Sequence, residues 1–144
     1  MNGQLAVTVV NDLSELARLS QEVEKFGGTQ GFTPKVVRAL NVSLDEIISN
    51  TIAHGYADKG RHEILVRVQV DGDHVRAEVE DDGRAFNPLH APEPDTKLPL
   101  EKCPVGGLGV LLVRKMMDVV EYRREHGKNL LVMKKRLMPD HERR

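Results

Sequence analysis

Three short clusters in this 144-residue chain carry groups suited to chemistry. The first is Glu46 with Asn50. On a helix, residues four apart have neighbouring side chains. An amide oxygen is a neutral hard ligand, suited to a Mg²⁺ ion that takes further oxygens from phosphate and water. A carboxylate beside it can orient or deprotonate an attacking hydroxyl. Taken alone, the pair is weak evidence, since Glu and Asn at this spacing more often simply occupy an exposed helix face. The second cluster is Asp81-Asp82-Gly83. A carboxylate at a strand end can accept a hydrogen bond from an exocyclic amine, and a glycine two residues on lets a flat ring approach the backbone. Asp and Gly also end strands in turns without any ligand. The third is Gly106-Gly107-Leu108-Gly109. Glycines at a helix start leave backbone N–H groups open to an anion, and the helix dipole adds to the attraction. No Gly-Lys-Ser/Thr follows, so this is not a Walker A loop, and the same glycines also suit a hinge.

The surrounding sequence says which elements must hold these groups. Residues 5–10 form a short β-rich run. Leu13, Leu16, Leu19 and Val23 recur at helical spacing, with Gly27-Gly28 expected to stop that helix. Thr33-Pro34 reads as an N-cap followed by proline in the first turn. The helix it opens should run to His54 and end at Gly55. Val37, Leu40, Leu44, Ile47 and Ile48 make its apolar stripe, and Glu46 and Asn50 lie toward the edge of that stripe. Ile64, Val66, Val68 and Val70 alternate with polar residues, as do Val75, Ala77 and Val79, with Asp71-Gly72-Asp73 between them as the turn of a hairpin. Pro88, Pro92, Pro94, Pro99 and Pro104 rule out a regular element over residues 83–105. A long loop inside a small domain is expected there. A helix over residues 110–117 follows, then a hairpin of residues 119–123 and 129–135 around His126-Gly127. The order β-α-α-β-β-loop-α-β-β predicts an α/β class fold, a two-layer sandwich with helices on one face of a mixed sheet. Length and the lack of internal repeats predict a single domain over residues 1–144.

Composition narrows the function classes. The formal net charge is −1 with 30% charged residues, and basic and acidic residues alternate, so there is no basic face for nucleic acid. The one cysteine, Cys103, leaves no partner for an internal disulfide and too few thiols for a zinc cluster. The six histidines lack metal-ligand spacing. No apolar run approaches the roughly 20 residues of a membrane span. The first ten residues do not read as a signal peptide, so a cytoplasmic location is expected, with no membrane contact.

The three clusters also stand in a telling order. Glu46-x-x-x-Asn50, Asp81-x-Gly83 and Gly107-Leu108-Gly109 resemble the N, G1 and G2 boxes of the GHKL ATPase superfamily, whose domain has the Bergerat fold. The proline-rich segment, residues 84–105, falls where that family has its ATP lid. "SLDEIISNTIAHGY" (residues 43–56), "VEDDGRAFNP" (79–88) and "GGLGVLLVRKMMDVVEYRREHGKN" (106–129) look like the bacterial anti-sigma factor serine/threonine kinases within it. The resemblance covers nearly the whole chain.

That resemblance implies ATP and Mg²⁺ as cofactors. Asn50 would coordinate the metal that bridges the phosphates, and Glu46 would be the base or positioning group for a protein serine hydroxyl. Asp81 would bond the adenine amine, with Gly83 giving the ring room. Gly107, Leu108 and Gly109 would line the phosphates with backbone N–H groups. Implied partners are a sigma factor, a small anti-anti-sigma antagonist of the STAS type, and a second copy of the chain in a homodimer. An alternative is an ATP/ADP-dependent partner-binding module without phosphoryl transfer, but such a module has no need of Glu46. A detached sensor histidine kinase domain fares worse, because no dimerising helix pair carries a phosphoacceptor histidine. His54 reads instead as a helix-end or pocket-wall residue. Two departures stand out. Ala85 replaces a second glycine common in the superfamily. Residues 130–133 offer no hydroxyl where many relatives place a threonine that bonds adenine through water. Lys102, Arg84 and Arg114 are candidates for stabilising the transferred phosphate.

Overall fold

In the computed structural model, the structure describes residues 3–58, 60–85 and 107–137. Eight elements follow in order: β1 (Gln4–Val10), α1 (Glu15–Gln30), α2 (Pro34–His54), β2 (Glu63–Asp71), β3 (His74–Asp81), α3 (Gly107–Met116), β4 (Val119–Glu125) and β5 (Lys128–Arg136). The five strands make one sheet in the order β1-β2-β3-β5-β4. The two-layer α/β sandwich is therefore as expected, but the sheet is not mixed. Every neighbouring pair is antiparallel. β3 and β4 do run in the same direction, yet β5 lies between them and opposes both. The segment containing α3 thus crosses over a strand that has not yet been made, which strand order along the chain does not reveal.

Strand alternation supplies the core. Val7, Val9, Ile64, Val66, Val68, Val75, Ala77, Val79, Leu131 and Met133 turn to one face and are buried. Leu40, Leu44 and Ile48 of α2 pack on them, each 1% exposed or less. Burying one such side chain contributes roughly 1.5–3 kcal/mol. The other face is largely polar, with Leu65, Leu130 and Val132 among its charged residues. Across it, Arg67 Nε lies 2.8 Å from Glu78 Oε1, and Arg76 Nη2 lies 2.7 Å from Glu78 Oε2.

Local chemistry sets the boundaries. Thr33 Oγ1 accepts from Val36 N at 3.3 Å and caps α2, with Pro34 in the first turn. α2 ends at His54, and Gly55 N bonds Thr51 O. The β2–β3 turn needs Gly72, at φ 64°. In the final hairpin, His126 (φ 53°) and Gly127 (φ 75°) form a two-residue loop with both φ values positive, which matches the twist of the strands it joins. The expected stop of α1 at Gly27-Gly28 is incorrect. α1 runs on to Gln30 and ends at Gly31, whose φ of 77° is left-handed. Gly27 is buried against α2, where a Cβ would lie 2.7 Å from Val37 Cγ2. Its role is close helix packing rather than termination.

Candidate functional site

α2 presents Asn50 and Thr51 at the end of its buried stripe, both 9% exposed. β3 brings Asp81, 7% exposed, to the same place. Between them lies a narrow cleft lined by Ile47, Asn50, Thr51, Gly55, Val79, Asp81, Tyr122, Asn129 and Leu131. Its apolar walls and few convergent polar groups are what a planar heterocycle requires. Asn50 Nδ2 is buried and has no hydrogen-bond partner among the described residues. An unpaired buried amide costs about 1–3 kcal/mol unless a ligand or water satisfies it.

Asp81 is held by its own turn. Gly83 N donates to Asp81 Oδ1 at 2.8 Å. Gly83 packs against the end of α2, where a Cβ would lie 2.5 Å from Gly55 O, so no larger residue fits. Arg84 N donates to Gly55 O at 2.8 Å, and Arg84 Nε donates to His54 O at 2.8 Å. These bonds satisfy carbonyls at the helix end, where a cation is favourable. They also occupy one edge of the Arg84 guanidinium. His54 is the last residue of α2 rather than a residue lining the cleft, and its Nε2 is buried without a partner among the described residues.

Glu46 lies one turn before Asn50 and meets α3. A Cβ placed on Gly109 would collide with Glu46 Oε2, so a larger residue there would displace the Glu46 carboxylate from α3. The structure therefore joins Glu46 to Gly109, and Asn50 to Asp81. Gly107 opens α3, so the helix begins three residues before the Val110 start expected from sequence and takes in Gly107, Leu108 and Gly109. The proposed lid residues 86–105, with Lys102, lie outside the described residues.

Several pocket groups escaped the sequence reading. Asn129 pairs directly with Asp81 across β3 and β5, and Asn129 Nδ2 donates to Asp81 Oδ1 at 2.9 Å. The Tyr122 hydroxyl donates to Asn129 Oδ1 at 2.5 Å. The signal that could have exposed Asn129 is its place in β5. Leu131 and Met133 point inward on the same alternation, so an asparagine there is a polar residue on the apolar face. Beside the cleft, Tyr56 stacks on His62 with ring centroids 4.1 Å apart. Burial, with the charges of Asp81 and Asp82 nearby, pushes the Tyr56 phenol up and keeps it protonated.

A buried cleft between α2 and β3, an amide at its helix edge and a glycine-opened helix beside a carboxylate are the features of this α/β domain that a nucleotide could use. The model of the histidine kinase-like ATPase domain matches residues 9–135, and the chain belongs to that ATP-using family. The chain is 28% identical over 113 residues to the serine-protein kinase RsbW of Oceanobacillus iheyensis, covering 72% of this chain and 68% of that protein. It is 26% identical over 101 residues to the serine/threonine-protein kinase BtrW of Bordetella bronchiseptica, covering 70% of this chain and 71% of that one. Among solved structures, the RsbU and RsbW domains of Rv1364c from Mycobacterium tuberculosis superpose with a TM-score of 0.66 at 18% identity. That match covers 93% of this chain and spans 32% of the longer one. No described helix is long and apolar enough to cross a membrane.

Proposed function

We propose that this chain is an ATP-dependent serine/threonine protein kinase that also sequesters a sigma factor, and that its substrate is a small antagonist protein of the STAS type. The observation that carries the reading is the meeting of Glu46 with Gly109 beside the Asn50–Asp81 cleft. A nucleotide with its base on Asp81 extends past Asn50 toward the start of α3. Backbone N–H groups of Gly107, Leu108 and Gly109 then face its phosphates. Glu46 stands at the same point, where an incoming serine must approach. The names of the relatives, serine-protein kinase and serine/threonine-protein kinase, agree with this chemistry.

Asn50 fits a role as Mg²⁺ ligand. The ligating atom would be its side-chain oxygen, while the unpaired Nδ2 is a donor that would meet a phosphate or water oxygen, and among the described residues no three His, Cys, Asp or Glu converge into a metal cluster. A metal here would take its remaining ligands from phosphate and water, as Mg²⁺ commonly does. When bound, that ion neutralises charge on the phosphates. The chain's own part is positioning. Glu46 accepts the serine proton as Oγ attacks the γ-phosphorus, the bond from that phosphorus to the β-γ bridging oxygen breaks, and ADP leaves. Such transfer depends mainly on alignment and charge stabilisation.

The whole chain, residues 1–144, then acts as one domain in the cytoplasm, pairing with a second copy by the isologous contact usual for homodimers. The test is calorimetric titration with ATP, with and without Mg²⁺, followed by labelled-phosphate transfer to a candidate antagonist. Mg-dependent binding with transfer to serine is the expected result. Binding without transfer to any antagonist would leave a nucleotide-dependent binding module and sink the kinase assignment.

A further inference from the structure

The purine end of the cleft holds a hydrogen-bond chain that the transfer chemistry does not use. Asn129 is 6% exposed. One end of its side chain meets the Tyr122 hydroxyl at 2.5 Å and Arg124 Nη1 at 3.1 Å. The other end meets Asp81 Oδ1 at 2.9 Å and the Arg84 carbonyl at 2.9 Å. A guanidinium only donates and a backbone carbonyl only accepts, so the amide has a single allowed orientation. Its oxygen faces Tyr122 and Arg124, and its NH₂ faces Asp81. Arg124 Nη1 also donates to Gly83 O at 2.8 Å, which fixes the turn carrying the other donor to Asp81.

Asp81 Oδ1 thus receives two N–H groups, from Gly83 and from Asn129. Among the described residues, no hydrogen bond reaches Oδ2. An aspartate's terminal torsion is soft and would otherwise let the carboxylate turn. Two fixed donors on one oxygen hold the other in place as an acceptor.

We propose that Asn129, braced by Tyr122 and Arg124, is a positioning residue that aims the Asp81 carboxylate and so selects purines bearing a 6-amino group. The inference rests on the nucleotide reading of the cleft given above. A fixed carboxylate oxygen rewards a donor at the 6-position. It gains nothing from a bare C–H there, and it meets a 6-oxo group lone pair to lone pair. A carboxylate released from Asn129 can turn or hydrate, and the distinction between these bases fades.

The experiment is calorimetric titration of the full chain, with Mg²⁺ present, using ATP, GTP and purine riboside triphosphate, which is ATP without its amine. Wild type, Asn129→Ala and Tyr122→Phe are compared. Wild type should prefer ATP over the amine-free nucleotide by roughly 10- to 100-fold, the range of one hydrogen bond to a charged group. Asn129→Ala should reduce that ratio to within about threefold of unity, and Tyr122→Phe should give an intermediate ratio. A residue with only a structural role would weaken both nucleotides together and leave the ratio alone. An unchanged ratio in Asn129→Ala overturns the proposal. If that variant does not fold, an unchanged ratio in Tyr122→Phe overturns it instead. Wild type that binds ATP without preference also overturns it, while the nucleotide site stands. Wild type that binds none of the three removes the nucleotide reading itself.

Discussion

An under-bonded amide at the edge of a helix's buried face is costly to keep, and Asn50 keeps one. Replacing Asn50 with alanine should weaken Mg-ATP binding by roughly 100-fold or more, since even the indirect partners of metal ligands commonly cost 10- to 100-fold. Affinity in the absence of Mg²⁺ should change far less. Calorimetry with and without the metal separates the two effects, and an unaltered Mg²⁺ dependence would remove Asn50 from the metal site. Glu46→Gln should behave differently. It preserves volume and deletes only the proton acceptor, so nucleotide affinity should hold while the transfer rate falls by about 10²- to 10⁴-fold. Single-turnover phosphate transfer checks this, and a rate equal to wild type would exclude Glu46 from the step. Both residues were legible in the sequence because their spacing on one helix is local, and so were Asp81 and Gly83. Tyr122 and Asn129 were not. Their place in the site comes from the pairing of β3 with β5, which joins Asp81 to Asn129. No nearby spacing encodes a contact made by strand register. The missing hydroxyl at residues 130–133 was correctly noticed, but the polar group facing Asp81 stands one position earlier, at Asn129.

At the scale of elements, α1 carries two adjacent glycines with opposite roles. Gly28 is helical, and a Cβ there meets nothing within 4 Å. Gly28→Ala should stabilise the protein by about 0.5–1 kcal/mol through the helix preference for alanine. Gly27→Ala forces a methyl to within 2.7 Å of Val37 Cγ2 on the facing helix. Valine is stiff at χ1, so it yields only with strain. Overpacking of this kind costs about 1–3 kcal/mol, which should more than offset the propensity gain. Denaturant melts of the two variants should therefore move in opposite directions, and equal shifts would show that the α1–α2 contact is slack. Composition alone marked these glycines as a helix stop. It reads both residues as punctuation, because it cannot see the second helix that Gly27 allows to approach. The boundaries of α2 and the final turn were legible, since a capping threonine, a proline and a His-Gly pair each act on their immediate neighbours.

Across the whole molecule, His62 links parts of the chain that are far apart in sequence. Its Nε2 lies 2.8 Å from Asp58 Oδ1, and its Nδ1 lies 3.4 Å from Asp82 Oδ1. Its backbone N–H donates to Asn11 Oδ1 at 2.9 Å, and its carbonyl accepts from Asn11 N at 3.0 Å. The hydrogen bond to Asp58, with the charges of Asp58 and Asp82, raises the His62 pKa above its ordinary 6.5. The native state therefore binds this proton more tightly than the unfolded chain does. The stability it contributes is complete below about pH 6.5 and is lost as pH rises through the raised value. Melting temperature should fall modestly as pH rises above about 6.5 in wild type, and His62→Gln should flatten that part of the profile. An identical slope in both proteins would assign the dependence to other groups.

The strand order has a consequence in time. β2 with β3, and β4 with β5, are hairpins whose two-residue loops close within microseconds. The β3–β5 pairing must instead bring Asp81 to Asn129 across the whole intervening chain, a slow closure of high contact order. A ribosome will have released every motif that marks this protein as an ATPase before it makes the strand that walls the base. A chain cut short at Lys128 would carry Glu46, Asn50, Asp81 and Gly109 and still have no cleft. Prematurely ended copies are then inert rather than partly active, and cannot compete with the finished protein for nucleotide.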